Sequence, residues 1–172
     1  EKTKNEIIKT IHIAHRNIGI PFSVFKITGL GKSSILKKAN KGIDHLNDDE
    51  FKSYNTICQR VDDICAEAHK LNVSIFIDAE DSWFQDFIDE VAEMMIVKYN
   101  LKMPIVYNTI QLYRHDRIQY MKNLIDKCKK IKVYLGLKLV RGAYMEKERE
   151  VAASSGYLDP IHKSKKDTDN DY

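Results

Sequence analysis

The sequence predicts an α/β fold made of about the first four β/α units of a (β/α)8 TIM-barrel-type domain. Short runs of β-branched and aromatic residues alternate with amphipathic stretches of helical period. That alternation calls for parallel strands joined by helical crossovers. Lys26, Asp78, Gln111 and Lys138 each fall at or near the carboxyl end of a predicted strand, where barrels carry their chemistry. This placement favours the barrel over a doubly wound sheet, the competing architecture. The chain has 172 residues, fewer than the roughly 250 of a complete barrel.

Residues 1–20 are expected to form a helical lead-in, and residues 21–172 the four β/α units. Phe22 to Thr28 (FSVFKIT), bounded by Pro21 and Gly29, reads as the first strand. After a loop, a helix is expected from about Asp48 to Lys70, capped by Asn47 with Glu50 as its capping-box partner. Phe51, Tyr54, Cys58, Val61, Cys65 and Ala68 mark its apolar face. Val73 to Asp78 is the second strand. Ser82 and Gln85 resemble another capping box, opening a helix whose inner face carries Phe84, Phe87, Ile88, Val91, Met94 and Met95. Ile105 to Gln111 is the third strand. A helix from about His115 to Lys130 follows, with Ile118, Met121, Leu124, Ile125 and Cys128 turned inward. Tyr134 to Arg141 is the fourth strand, and Tyr144 to Ser154 a further helix.

Composition narrows the function. Apolar residues make up 43% and charged residues 31%, the balance of a soluble globular protein. The net charge is only +3 and the charges are interspersed, so no nucleic-acid-binding face is indicated. Cys58, Cys65 and Cys128 form no metal-ligand spacing and read as reduced thiols in a reducing compartment. No metal is expected. No apolar run approaches the roughly 20 residues of a membrane span, and the polar start EKTKNEIIKT is no signal peptide. The absence of an initial Met suggests a start inside a longer gene product.

Lys26 interrupts an apolar strand. Its ammonium either snorkels out at the strand end or anchors a substrate carboxylate. Gly29 to Ser33 (GLGKS) fails as a phosphate loop, because Lys26 stands where the first Gly of that motif belongs. Asp78, Glu80 and Asp81 lie within four residues. Helix-start chemistry explains Asp81, whereas Asp78 continues the strand toward the barrel mouth. Gln111 is either a loop or capping amide or a mixed donor–acceptor for a heterocycle. Lys138 and Val140 share one face of the fourth strand, with Leu139 and Arg141 on the other. Gly142 and Ala143 then allow close backbone approach. Two cations beside exposed amides suit an anionic or phosphate-bearing ligand. The six histidines pair with no nucleophile or metal partner.

Taken in order, FKITGLG, FIDAED, YNTIQLY, KLVRGAYMEKERE and GYLDPIHKSKKDTDNDY resemble the proline dehydrogenase family. The last of these is similar to the family's Lys-x-x-Thr-Asp-x-x-Tyr stretch, at Lys165, Thr168, Asp169 and Tyr172. The resemblance implies a distorted barrel that binds FAD without a Rossmann fingerprint. It also implies oxidation of L-proline to Δ1-pyrroline-5-carboxylate, with electrons passed to a quinone. By position, Lys26 would pair with the proline carboxylate. Asp78 would join the polar network around the substrate, and Leu139, Ala143 and Tyr144 would line the substrate pocket. Asp78 and Tyr144 thus join Lys26 as catalytic candidates. Gln111 and Lys138 would hydrogen-bond the flavin ring, and Val140 would contact it through its backbone. Arg141, Gly142 and Ala143 would lie along the cofactor, and Lys165 and Thr168 would reach its phosphate and adenosine end. Some members carry Arg where Lys138 stands, and Lys lacks the planar fork.

The later strands that complete such a site have no counterpart in these residues. The 172-residue chain alone is therefore expected to be inactive, with two open edges and an exposed inner face. The competing readings are a Schiff-base lyase-type barrel using Lys26 or Lys138, and a non-catalytic half-barrel that self-associates through its edges. A cytoplasmic location is expected, with peripheral contact at the inner membrane face, or mitochondrial in a eukaryote.

Overall fold

Four short strands stand side by side in one parallel sheet in a computed structural model that describes residues 1–172. The elements in chain order are α1 (Lys2–His15), β1 (Phe22–Phe25), α2 (Ser33–Ala39), α3 (Asp48–Leu71), β2 (Ser74–Ile77), α4 (Ser82–Tyr99), β3 (Val106–Gln111), α5 (Arg117–Ile131), β4 (Gly136–Val140), α6 (Met145–Ser155) and α7 (Lys165–Asp171). The sheet order is β1-β2-β3-β4. A doubly wound sheet reverses its order partway across, so strict sequence order decides for a barrel segment.

Register sets the two faces. Phe22 pairs with Ser74, Phe76 with Tyr107, Thr109 with Lys138 and Gln111 with Val140. With a side-chain period of two, Val24, Phe76, Thr109, Gln111, Lys138 and Val140 share one face. Phe25, Ile75, Ile77 and Ile110 share the other, where they are buried. That second face meets the helices and joins the core with Ile57, Val61 and Ile64 of α3 and Phe87, Ile88 and Val91 of α4. The first face is the open one. Val24 is 51% exposed on it, although Phe22, Phe76 and Tyr107 stack there as an aromatic cluster. Both edges, β1 and β4, are unpaired within the sheet.

Local chemistry explains the elements. The expected capping box of α3 is present: Asn47 Oδ1 accepts from the Asp49 and Glu50 amides at 3.1 and 3.0 Å, and Glu50 returns a bond to the Asn47 amide at 3.0 Å. Its C-terminus closes on Asn72 in the left-handed conformation (φ 54°). α1 lies against α3 and β1, tied by Lys4 to Asp63 at 2.8 Å.

Several expectations are corrected. The first strand ends at Phe25, and Ile27–Leu30 turns as a 3-10 helix, so Lys26 sits just past the strand. The 3-10 turn buries Ile27 and Leu30, which an extended chain leaving the sheet could not do. The loop after it contains α2. The capping box at Ser82 and Gln85 does not form. Asp81 is the N-cap, and the Ser82 amide and hydroxyl both bond Glu148 of α6, at 2.6 and 2.7 Å. Gln85 instead accepts from the Glu80 amide at 2.9 Å. Phe51 and Met94 are exposed rather than inward, because each lies at the rim of its helix's apolar stripe. The glycine of the failed phosphate loop has a packing reason: a Cβ on Gly31 would come within 2.3 Å of Ile57.

Candidate active site

The four strands deliver their polar residues to one cleft of about 240 Å³ at the carboxyl end of the sheet. Lys26 stands just past β1, Asp78 and Ala79 just past β2, Thr109 and Gln111 lie on β3 with Tyr113 beyond its end, and Lys138 and Val140 lie on β4; Gly142, Ala143 and Tyr144 close it. A larger groove of about 380 Å³ lies between the Gly29–Lys32 loop and α3. It holds none of these residues, and the smaller cleft is where the chemistry converges.

Two cations face one carboxylate in the cleft lining. Lys138 Nζ pairs with Asp78 Oδ1 at 2.7 Å, with both side chains about a quarter to a third exposed. Lys26 Nζ donates to the Tyr144 hydroxyl at 2.8 Å. That hydrogen bond raises the Lys26 pKa above its ordinary value, with Asp78 and Glu80 adding to it against burial. Lys26 is therefore a firmly protonated ammonium, which argues against a Schiff-base nucleophile, since that role needs a lowered pKa. Lys138 is engaged in its ion pair with Asp78. The Glu80 carboxylate is engaged elsewhere, by the Thr28 amide at 3.0 Å and the Thr28 hydroxyl.

Tyr144 adopts φ 56° as the N-cap of α6. A non-glycine residue in the left-handed region costs roughly 1–2 kcal/mol, and such strain gathers at functional sites. Its reward here is placement: the hydroxyl reaches Lys26, which follows the opposite edge strand, and the Lys147 ammonium stands 5.8 Å from the ring centroid.

Gln111 is 1% exposed. Its Nε2 donates to the Glu80 carbonyl at 2.6 Å and to the Tyr113 hydroxyl at 2.8 Å. Its Oε1 is buried with no hydrogen-bond donor. Gln111 thus ties down the backbone of the loop after β2, as a loop amide does, and also carries an unpartnered oxygen. The cleft can thus neutralise a carboxylate and hold a polar heterocycle.

Of the expected site residues, the cleft brings together Lys26, Asp78, Gln111, Lys138, Val140, Gly142, Ala143 and Tyr144. Leu139 stands apart: strand alternation puts it on the helix-facing side with Ile110, and it does not line the cleft. Arg141, Lys165 and Thr168 form a second group outside it. Arg141 and Lys165 both reach Asp169, at 3.3 and 3.4 Å, and the Arg141 guanidinium stands 4.5 Å from the Tyr172 ring centroid. Thr168 is buried with Oγ1 unpartnered. Thr109 and Tyr113 were not singled out from sequence. Their signal was present: both share the parity of Gln111 along β3 and its extension.

A family model described as proline dehydrogenase matches residues 1–172. Proline dehydrogenase 1, mitochondrial, of Arabidopsis thaliana is 36% identical over 143 residues, covering 82% of this chain and 29% of that protein. The Drosophila melanogaster protein of the same name is 37% identical over 113 residues, covering 66% of this chain and 17% of that protein. Proline utilization A from Bradyrhizobium japonicum superposes with a TM-score of 0.82 at 17% identity, covering 99% of this chain and 17% of that one. This likeness shows the fold. The chain spans less than a third of the length of these curated relatives.

Proposed function

Because the chain belongs to the proline dehydrogenase family, we propose that it supplies the first half of the active site of a flavin-dependent enzyme that oxidises L-proline. The observation that carries this is the convergence of Lys26, Asp78, Gln111, Lys138 and Tyr144 in one cleft at the carboxyl end of the sheet. The residues fit a flavin ring. A buried Gln111 oxygen lacks a donor, Lys138 stands on the same face, and a Cβ on Gly142 would meet only Met145 Sδ, at 3.6 Å, so the backbone there is open to a ligand. Bound there, FAD would accept the hydride equivalent from the proline ring carbon next to nitrogen.

The chain's own residues bind and orient. Lys26 pairs with the proline carboxylate, and Tyr144 holds the Lys26 ammonium in place. Asp78 balances Lys138 and fixes its position, so that Lys138 would offer a bound flavin a cation to offset the negative charge that reduction supplies. Val140, Gly142 and Ala143 offer backbone contact along the cofactor, and Ala143 also borders the substrate. Arg141, Lys165 and Thr168, joined near Asp169, reach toward its phosphate and adenosine end. Leu139 has no substrate contact in this scheme. The electron acceptor is a quinone. No helix of these residues is long and apolar enough to cross a membrane. The location in this scheme is cytoplasmic with peripheral contact at the inner membrane face, or mitochondrial in a eukaryote. The 172 residues alone leave the inner face open and are inactive.

Steady-state kinetics of the complete protein in which these residues occur tests the assignment. Lys26→Met should raise the KM for proline at least tenfold, with FAD content unchanged. An unchanged KM overturns the role of Lys26.

A further inference from the structure

Gln111 is held in a way that fixes which of its two amide atoms is left without a partner. A backbone carbonyl only accepts hydrogen bonds, so the Gln111 atom 2.6 Å from the Glu80 carbonyl is nitrogen. This removes the usual ambiguity between the two ends of an amide. The second hydrogen on that nitrogen goes to the Tyr113 hydroxyl at 2.8 Å. Both donors are thereby used, and Oε1 is left buried and without a donor. Such an atom calls for a partner from outside the chain.

Tyr113 is itself fixed. It is 1% exposed, and its carbonyl accepts from the His162 amide at 2.9 Å. The preceding Leu112 amide continues the ladder to the Val140 carbonyl at 2.9 Å. Burial raises the Tyr113 pKa, so the phenol stays neutral. As it accepts from Gln111, its own proton remains free to be donated.

We propose that Tyr113 is a positioning residue that locks the Gln111 amide with its nitrogen engaged and its oxygen as the unpartnered end, so this residue of the cleft lining offers an acceptor and selects a ligand edge bearing an N–H. This rests on the flavin reading above, under which that edge belongs to the flavin ring system.

A double-mutant cycle in the complete protein tests it, using FAD binding to the apoprotein and the flavin midpoint potential as readouts. Tyr113→Phe should weaken FAD binding about tenfold, the loss of one hydrogen bond, and shift the potential. In a Gln111→Met background the same change should have no effect on either, because Tyr113 acts through Gln111. Equal losses in both backgrounds, or no loss in either, overturn the proposal. A separate arm needs no flavin. In selectively labelled ligand-free protein, the Gln111 side-chain amide protons should exchange slowly, and at least one should become fast in Tyr113→Phe. Unchanged exchange overturns the positioning role. Failure of the unsubstituted protein to take up FAD sinks the flavin reading instead, while the exchange arm still decides the role of Tyr113.

Discussion

Replacing Asp89 with Ala should destabilise the protein by about 4 kcal/mol, because it strands a buried cation. Asp89 and Arg117 are 4% and 2% exposed. Asp89 Oδ2 accepts from Arg117 Nη2 at 2.6 Å, and Oδ1 accepts from Asn108 Nδ2 at 2.8 Å and Gln85 Nε2 at 2.9 Å. Removing one member of a buried ion pair costs about 3–5 kcal/mol. The Gln85 amide would also lose its acceptor, at a cost of about 1 kcal/mol. Asn108 keeps a bond to the Tyr120 hydroxyl at 3.1 Å, and the Arg117 guanidinium keeps its place 4.1 Å from the Tyr120 ring centroid, which holds the total near the lower end. Desolvation already presses on this pair. Burial raises the Asp89 pKa against the pull of Arg117, Asn108 and Gln85. The uncompensated charge is therefore the dominant loss, and removing it should restore stability. Urea denaturation followed by far-UV circular dichroism should show Asp89→Ala/Arg117→Met recovering at least about 2 kcal/mol over Asp89→Ala. A single-variant loss below about 1 kcal/mol, or purely additive losses in the double variant, would refute the reasoning.

Three further outcomes follow from the same geometry. Asn47→Ala removes both side-chain bonds to the start of α3 and should cost about 1 kcal/mol in the same denaturation experiment. Gly136→Ala places a Cβ 2.6 Å from Tyr107 Cγ, inside the aromatic cluster; it should cost about 1–3 kcal/mol and show as a lowered melting temperature. Lys26, whose pKa the Tyr144 hydrogen bond raises above 10.5, should give no borohydride-trapped adduct with a carbonyl compound at about pH 8. The charged form persists below the raised value and is lost only as pH rises through it. A trapped adduct on Lys26, read by peptide mass spectrometry, would contradict that assignment.

The sheet was legible because its strands are short apolar runs with helical spacing between them. The carboxyl-end polar residues were legible for the same reason, since each interrupts or ends an apolar run. Lys26, Asp78, Gln111 and Lys138 converge as expected. What the sequence hid was set by tertiary partners. Ser82 has the right neighbours for a cap, but Glu148, 66 residues away, takes its amide and hydroxyl. Strand one ends early because Ile27 and Leu30 find burial in a turn. Leu139 followed the family motif, although alternation along the strand already placed it opposite Lys138. Tyr113 was overlooked because an apolar-looking tyrosine after a strand reads as core; only the bond to Gln111 reveals its place.

A cleft that holds a flavin and delivers L-proline to it has a spectroscopic signature. The visible spectrum of the complete protein under anaerobic conditions reads it. An oxidised flavin spectrum that bleaches on adding L-proline is the predicted result. A protein that takes up no FAD, or one whose flavin spectrum L-proline leaves unchanged, would contradict it.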